Sequence, residues 1–190
     1  MATVNKDTAN WRLFGGGGLL VGGLIWLLGE ILKYAGQMTV ASWLEAVGVI
    51  IVGVALFFVA FGQTGSNGAV GGSVFGKIAL VVFGIGWLLL GIVWLLAVAG
   101  APIGIAGTLV TLGVILLAVG GVVSAILVYQ AGVARGAARW VLFAPALWGV
   151  LYAIVALGWV TFGGMWLLLV QAALFTITGL LYLLNRRDIG

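Results

Sequence analysis

Six apolar runs, each about as long as the hydrocarbon core of a bilayer is thick, leave a chain like this little choice of solvent. They cover residues 13–35, 40–62, 75–99, 103–129, 140–160 and 164–184. A helical crossing needs roughly 20 predominantly apolar residues, and each run supplies them. Alternation of apolar and polar residues is absent from all six, which points to helices and away from a membrane barrel. What remains is a polar N-terminus, five short connections and a short tail. The first run is too long for a signal-peptide core and lacks a small-residue cleavage site, so it reads as a retained span. The expected fold class is all-α integral membrane: six transmembrane helices in one bundle, arranged as three Gly-rich helical hairpins over about 12–62, 74–130 and 139–185.

Composition narrows the chemistry. Charged residues make up 6% of the chain, against roughly a quarter in soluble proteins, and the mean hydropathy is +1.34. There is no cysteine and no histidine. Disulfides, iron-sulfur clusters, thiol catalysis and the usual haem and zinc ligands are thereby removed. No cofactor or metal is expected, no nucleophile and base can be paired, and the chain reads as a non-enzyme. The Gly-rich stretches 15–18 and 63–73 lack the strand-loop-helix setting and the Lys-Ser/Thr ending of phosphate loops.

Charge placement sets the expected topology. With six spans, both termini and the second and fourth connections share one side. That side collects Lys6, Arg12, Lys77, Arg135, Arg139, Arg186 and Arg187, leaving Lys33 near the other. A positive-inside bias of this kind makes both termini cytoplasmic, and the localisation expected is a bacterial cytoplasmic membrane. The isoelectric point near 9.9 therefore requires no nucleic-acid partner. The basic side chains can meet anionic lipid headgroups at about 1 kcal/mol each.

Glycine carries the internal pattern. Gly15, Gly22, Gly29 and Gly36 recur every seven residues, and Gly18 with Gly22 forms a small-xxx-small pair, a smooth face suited to close helix contact. Gly23 and Trp26, Gly91 and Trp94, and Gly149 and Tyr152 repeat one Gly-aromatic motif, and Gly48, Gly113 and Gly179 fall 65 and 66 residues apart. A period of this size suggests one helical pair used three times. The stretch 63–73 reads as a low-complexity linker between hairpins, Pro102 as the stop of the third helix, and Pro145 as a kink in the second turn of the fifth.

Ionisable residues inside a membrane are costly and often functional. Glu30, Lys33 and Glu45 flank the expected turn at 36–39, which places both carboxylates within roughly 10 Å of the outer boundary at a rise of 1.5 Å per residue. One reading is a proton or cation site tuned by Lys33. The plainer one is an interfacial ion pair of Glu30 with Lys33, the lysine snorkelling outward. Gln171, deep in the sixth span, suits a ligand contact or, more commonly, an interhelical hydrogen bond. Trp11, Trp43, Trp140, Trp159 and Trp166 fall at span ends, as interfacial aromatics do. Trp26, Trp87, Trp94 and Trp148 lie deeper, as packing or lipid-facing residues that leave room for a pigment or lipid ligand.

The segment from Gly84 to Ser124 joins Gly91-Ile92-Val93-Trp94-Leu95-Leu96 through Ala101-Pro102-Ile103-Gly104 to the run from Leu112 to Gly120. It resembles the repeat of the HdeD-like acid-resistance family of small six-helix bacterial membrane proteins. The resemblance implies a stress-related inner-membrane protein without catalytic residues. Two functions from different classes follow. One is a non-enzymatic protein that acts by helix packing, as a homo-oligomer or an accessory subunit of a larger membrane complex. The other is a small channel or secondary transporter for protons, a small cation or an apolar solute. An enzyme acting on lipid, with Glu30 and Glu45 as acid and base, is a distant third.

Overall fold

The structure, a computed structural model, describes residues 11–62, 68–101, 104–158 and 164–185. The described residues are helical, with no strand among them. The helices are α1 (Trp11–Tyr34), α2 (Met38–Phe61), α3 (Val74–Val98), α4 (Ala106–Ala131), α5 (Phe143–Ala156) and α6 (Gly164–Leu184). A short 3-10 turn, Gly136–Arg139, leads into α5, and the two together reach spanning length. Six helices are thus long and apolar enough to cross a membrane, as the six runs require. Pro102, Trp159, and the charges at Lys6, Arg186 and Arg187 lie outside the described residues.

Consecutive helices pack antiparallel from α1 to α5, and α6 returns to pack on α1, so the six close into a ring. The weakest seam is between α5 and α6. Glycine sets the close approaches. A Cβ on Gly15, Gly18, Gly22 or Gly29 would fall within 3.0 Å of atoms of α2, and a Cβ on Gly48 would lie 2.6 Å from the Trp26 backbone nitrogen. The heptad glycines of α1 therefore form the face expected of them, and its partner is the next helix of the same chain. Gly36 is the exception: it lies in the turn at φ +80°, a left-handed conformation that glycine alone adopts without strain.

The repeated motifs share a packing role. Gly23 faces Thr176 of α6, Gly91 faces Ile50 of α2, and Gly149 faces Leu117 of α4, so each meets the helix that precedes its own in the ring. The register differs from the sequence pattern by one turn. Gly48 packs on Gly22 and Trp26, and Gly113 on Gly86 and Leu90, a shift of 64 residues (22 to 86) where the motifs are 68 apart (23 to 91). Gly179 departs further, since it packs on Leu20 of α1 and not on α5.

The two ends of the ring differ. At the end holding the start of α1 and the finish of α6, the described parts of the connections form a seal. Of the expected linker 63–73, residues 63–67 lie outside the described residues, and 68–73 do not behave as a loose linker: Ala69 and Val70 are buried in the core and the Ala69 amide donates to the Val59 carbonyl. Ala134, Ala138 and Leu142 are buried beside them. Arg139 donates through Nε to the Tyr129 carbonyl at 2.8 Å, its guanidinium 4.1 Å from the centre of the Tyr129 ring. Trp11 also belongs to this seal. It is fully buried and meets Tyr182 of α6 edge to face at 5.3 Å, so the interfacial role expected of it is replaced by a core role, because α6 returns to pack beside it. Trp43, Trp140 and Trp166 are exposed, as span-end aromatics should be.

Pro145 is likewise corrected. Helix α5 begins at Phe143, which puts the proline in the first turn, where a missing N–H leaves no helical bond unmade. The Val141 carbonyl takes the Ala144 amide instead, and no kink is required.

Candidate cation site at the turn end of the bundle

At the opposite end, among the described residues, a Cβ at Gly36 or Gly100 in the turns after α1 and α3 would meet no other atom within 4 Å, and near this end lies a cavity of about 360 Å³. Helix α1 contributes Lys33, α2 contributes Ser42 and Glu45, and α3 contributes Trp94, Ala97 and Val98. Tyr152 of α5 and Leu168 of α6 close the wall.

The charged residues meet there because of helical spacing. Trp26, Glu30 and Lys33 are one turn apart on α1 and share a face. Trp26 donates through Nε1 to Glu30 Oε1 at 3.2 Å, and Lys33 Nζ donates to the same oxygen at 3.3 Å. The glycine-tight approach of α2, with Gly29 against Ala41 and Glu45, brings Glu45 Oε2 onto the same ammonium. One lysine therefore serves two carboxylates. Glu30 is fully buried, Glu45 is 6% exposed, and the Lys33 side chain is 14% exposed. The expected Glu30–Lys33 pair forms, and Lys33 also takes Glu45, so the pair is part of a largely buried three-membered cluster with Lys33 between the two carboxylates. Glu30 Oε2 accepts no hydrogen bond.

Beneath the cavity lies an aromatic plug. Trp26 and Trp87 meet at 5.2 Å, Trp87 and Phe175 at 5.4 Å, and Phe83 and Phe175 at 6.1 Å. Trp26, Trp87, Phe83 and Phe175 are all fully buried. The motif aromatics converge on this region: Trp94 lies 6.2 Å from Trp26, and Tyr152 stacks on Trp87 at 6.4 Å. The charges are legible in the sequence, but the apolar wall of the cavity is not. Its one available signal was the Gly-aromatic motif, whose second and third copies supply Trp94 and Tyr152.

Gln171 stands apart from the cluster. Its Nε2 donates to the Pro145 carbonyl at 3.2 Å, across the α5–α6 seam, the interhelical bond that is the commoner use of such a residue. Trp148 Nε1 crosses the same seam to the Leu167 carbonyl at 2.8 Å. Ser124, Thr176 and Thr178 each donate to a carbonyl of their own helix. Among the described residues no cluster of acidic side chains is suited to hold a metal ion.

Comparison of the chain with protein-family models, curated proteins and solved structures finds no match in any of the three.

Proposed function

We propose that the protein is a small secondary transporter that takes a monovalent cation, the proton among them, at the turn end of its bundle. The observation that carries this reading is the ratio of two carboxylates to one ammonium in a site that is almost wholly buried. A charge held in a low-dielectric interior without a partner costs several kcal/mol. With Glu30 and Glu45 ionised, one negative charge is left over beside a cavity, and an entering cation balances it.

The rest of the architecture supports a carrier over an open channel. The aromatic plug closes the path below the cavity, and the sealed connections close the far end. Passage needs rearrangement, and the lightly packed α5–α6 seam is where the least contact is lost. The basic residues Arg12, Lys77, Arg135 and Arg139 all lie at the sealed end, so by the positive-inside rule that end and both termini are cytoplasmic and the cavity faces outward. A bacterial cytoplasmic membrane and the stress association of HdeD-like proteins belong to the same proposal.

The other reading, a packing or accessory subunit, drew on short loops, few charges and absent catalytic side chains as well as on glycine-lined helix faces; the faces of α1 and α2 are occupied within the chain's own ring, which takes away one of those supports.

The test is cation uptake into liposomes that contain the purified protein, with Glu30→Gln/Glu45→Gln as the comparison. Uptake by the unaltered protein and its loss in the doubly substituted one, at an unchanged elution profile, is the expected result. Equal uptake by both proteins, or no flux of any monovalent cation, would refute the proposal.

A further inference from the structure

We infer that the cavity binds an alkylammonium ion, head on Glu45 and alkyl groups on the apolar wall. This rests on the cation site proposed above and names the class of its occupant. Two features select it. Beside Lys33, Ser42 and Glu45 the cavity is lined by Trp94, Ala97, Val98, Tyr152 and Leu168, a mostly apolar surface that offers a hydrated inorganic ion little in place of its water. An ammonium carrying alkyl groups gains both from apolar contact and from the aromatic side chains of Trp94 and Tyr152. The volume, about 360 Å³, lies at the small end of the range for pockets that enclose one organic ligand.

Lys33 defines how the ligand is admitted. Its Nζ now bonds both Glu30 and Glu45, so it stands as a tethered ammonium in the place an external one would take. When a ligand arrives, Lys33 keeps Glu30 and releases Glu45. Two carboxylates then face two cations, each with one partner, and the surplus charge is gone. No bond is made or broken beyond hydrogen bonds and ion pairs.

Calorimetric titration of the detergent-purified full chain decides the matter, with choline as the probe, its uncharged carbon analogue dimethylbutanol as the shape control, and sodium and potassium ions as inorganic competitors. Choline is expected to bind once per chain and dimethylbutanol not at all. Glu45→Gln should weaken choline by about a hundredfold, as truncation of a buried charge pair does. Trp94→Leu should weaken it by about tenfold and Trp94→Phe by much less. Should Glu45→Gln fail to fold, Trp94→Leu with its Trp94→Phe rescue carries the test. Sodium, potassium or proton binding without choline binding would overturn this inference and leave the transporter proposal standing. Absence of binding by every cation would sink both. Choline binding unaltered in Glu45→Gln or in Trp94→Leu would place the ligand elsewhere and also overturn it.

Discussion

Replacing Lys33 by methionine isolates the energetics of the buried cluster. The substitution keeps most of the side-chain volume and removes the one ammonium that Glu30 and Glu45 share. Glu30 is fully buried and has no water to turn to in place of the lost partner, whereas Glu45, nearly buried, keeps only the cavity beside it. Breaking a buried ion pair by deleting one member costs about 3–5 kcal/mol. The Lys33 side chain is itself 14% exposed, which puts the expected loss near the lower limit, about 3 kcal/mol. Removing all three charges together, as Glu30→Gln/Lys33→Met/Glu45→Gln, should be close to neutral, since no uncompensated charge is left inside. The Trp26 indole still finds an acceptor in a glutamine at position 30. Unfolding in mixed micelles of mild detergent and dodecyl sulfate gives both values on one scale. The reasoning is refuted if Lys33→Met unfolds within about 0.5 kcal/mol of the parent, the ordinary scatter of surface changes. It is equally refuted if the triple variant is as unstable as the single one.

Three further outcomes are expected. Gly48→Ala should lower stability by about 1–3 kcal/mol through overpacking, because its Cβ would meet backbone atoms of Trp26 and Gly22, whereas Gly107→Ala meets open space and should be neutral or mildly stabilising in the same unfolding assay. Trp11→Ala should cost about 3–5 kcal/mol and Trp166→Ala, at a site 62% exposed, much less; equal costs in thermal unfolding would restore Trp11 to the interface. Since the chain has no cysteine, single cysteines at Arg135 and Ala99, both exposed, should react with impermeant maleimide from opposite faces of the membrane. Reaction of Arg135→Cys from outside intact cells would reverse the proposed orientation.

The charged half of the site is legible in the residues alone, because an ionisable side chain in an apolar run stands out by its cost and because three- and four-residue spacing places Trp26, Glu30 and Lys33 on one side of a helix. The direction of Lys33 is not legible there. A lysine four carbons long near a span end can reach the headgroups or turn inward, and the choice depends on where Glu45 stands, which depends on how closely α2 approaches at Gly29. Trp11 shows the same limit in reverse. Its place at a span end suggests an interface, and only the return of α6, with Tyr182 beside it, makes that place interior. The stretch 68–73 looks like a linker by composition, yet small residues such as Ala69 and Val70 also fit where two connections are pressed against helix ends.

The sequence by itself determined the apolar character of this protein, its helical class and the number of helices long enough to cross a membrane, since hydropathy and length are sums over local residues and need no partner to be evaluated. It also marked which faces are smooth enough for helices to touch. The tertiary structure alone decided which helix each smooth face meets, that one lysine bridges two carboxylates, and that Trp94 and Tyr152 from distant copies of a motif wall one cavity. Those are relations between segments, set by the closure of the ring, and a pattern read along one helix carries no information about the side chains that arrive from another.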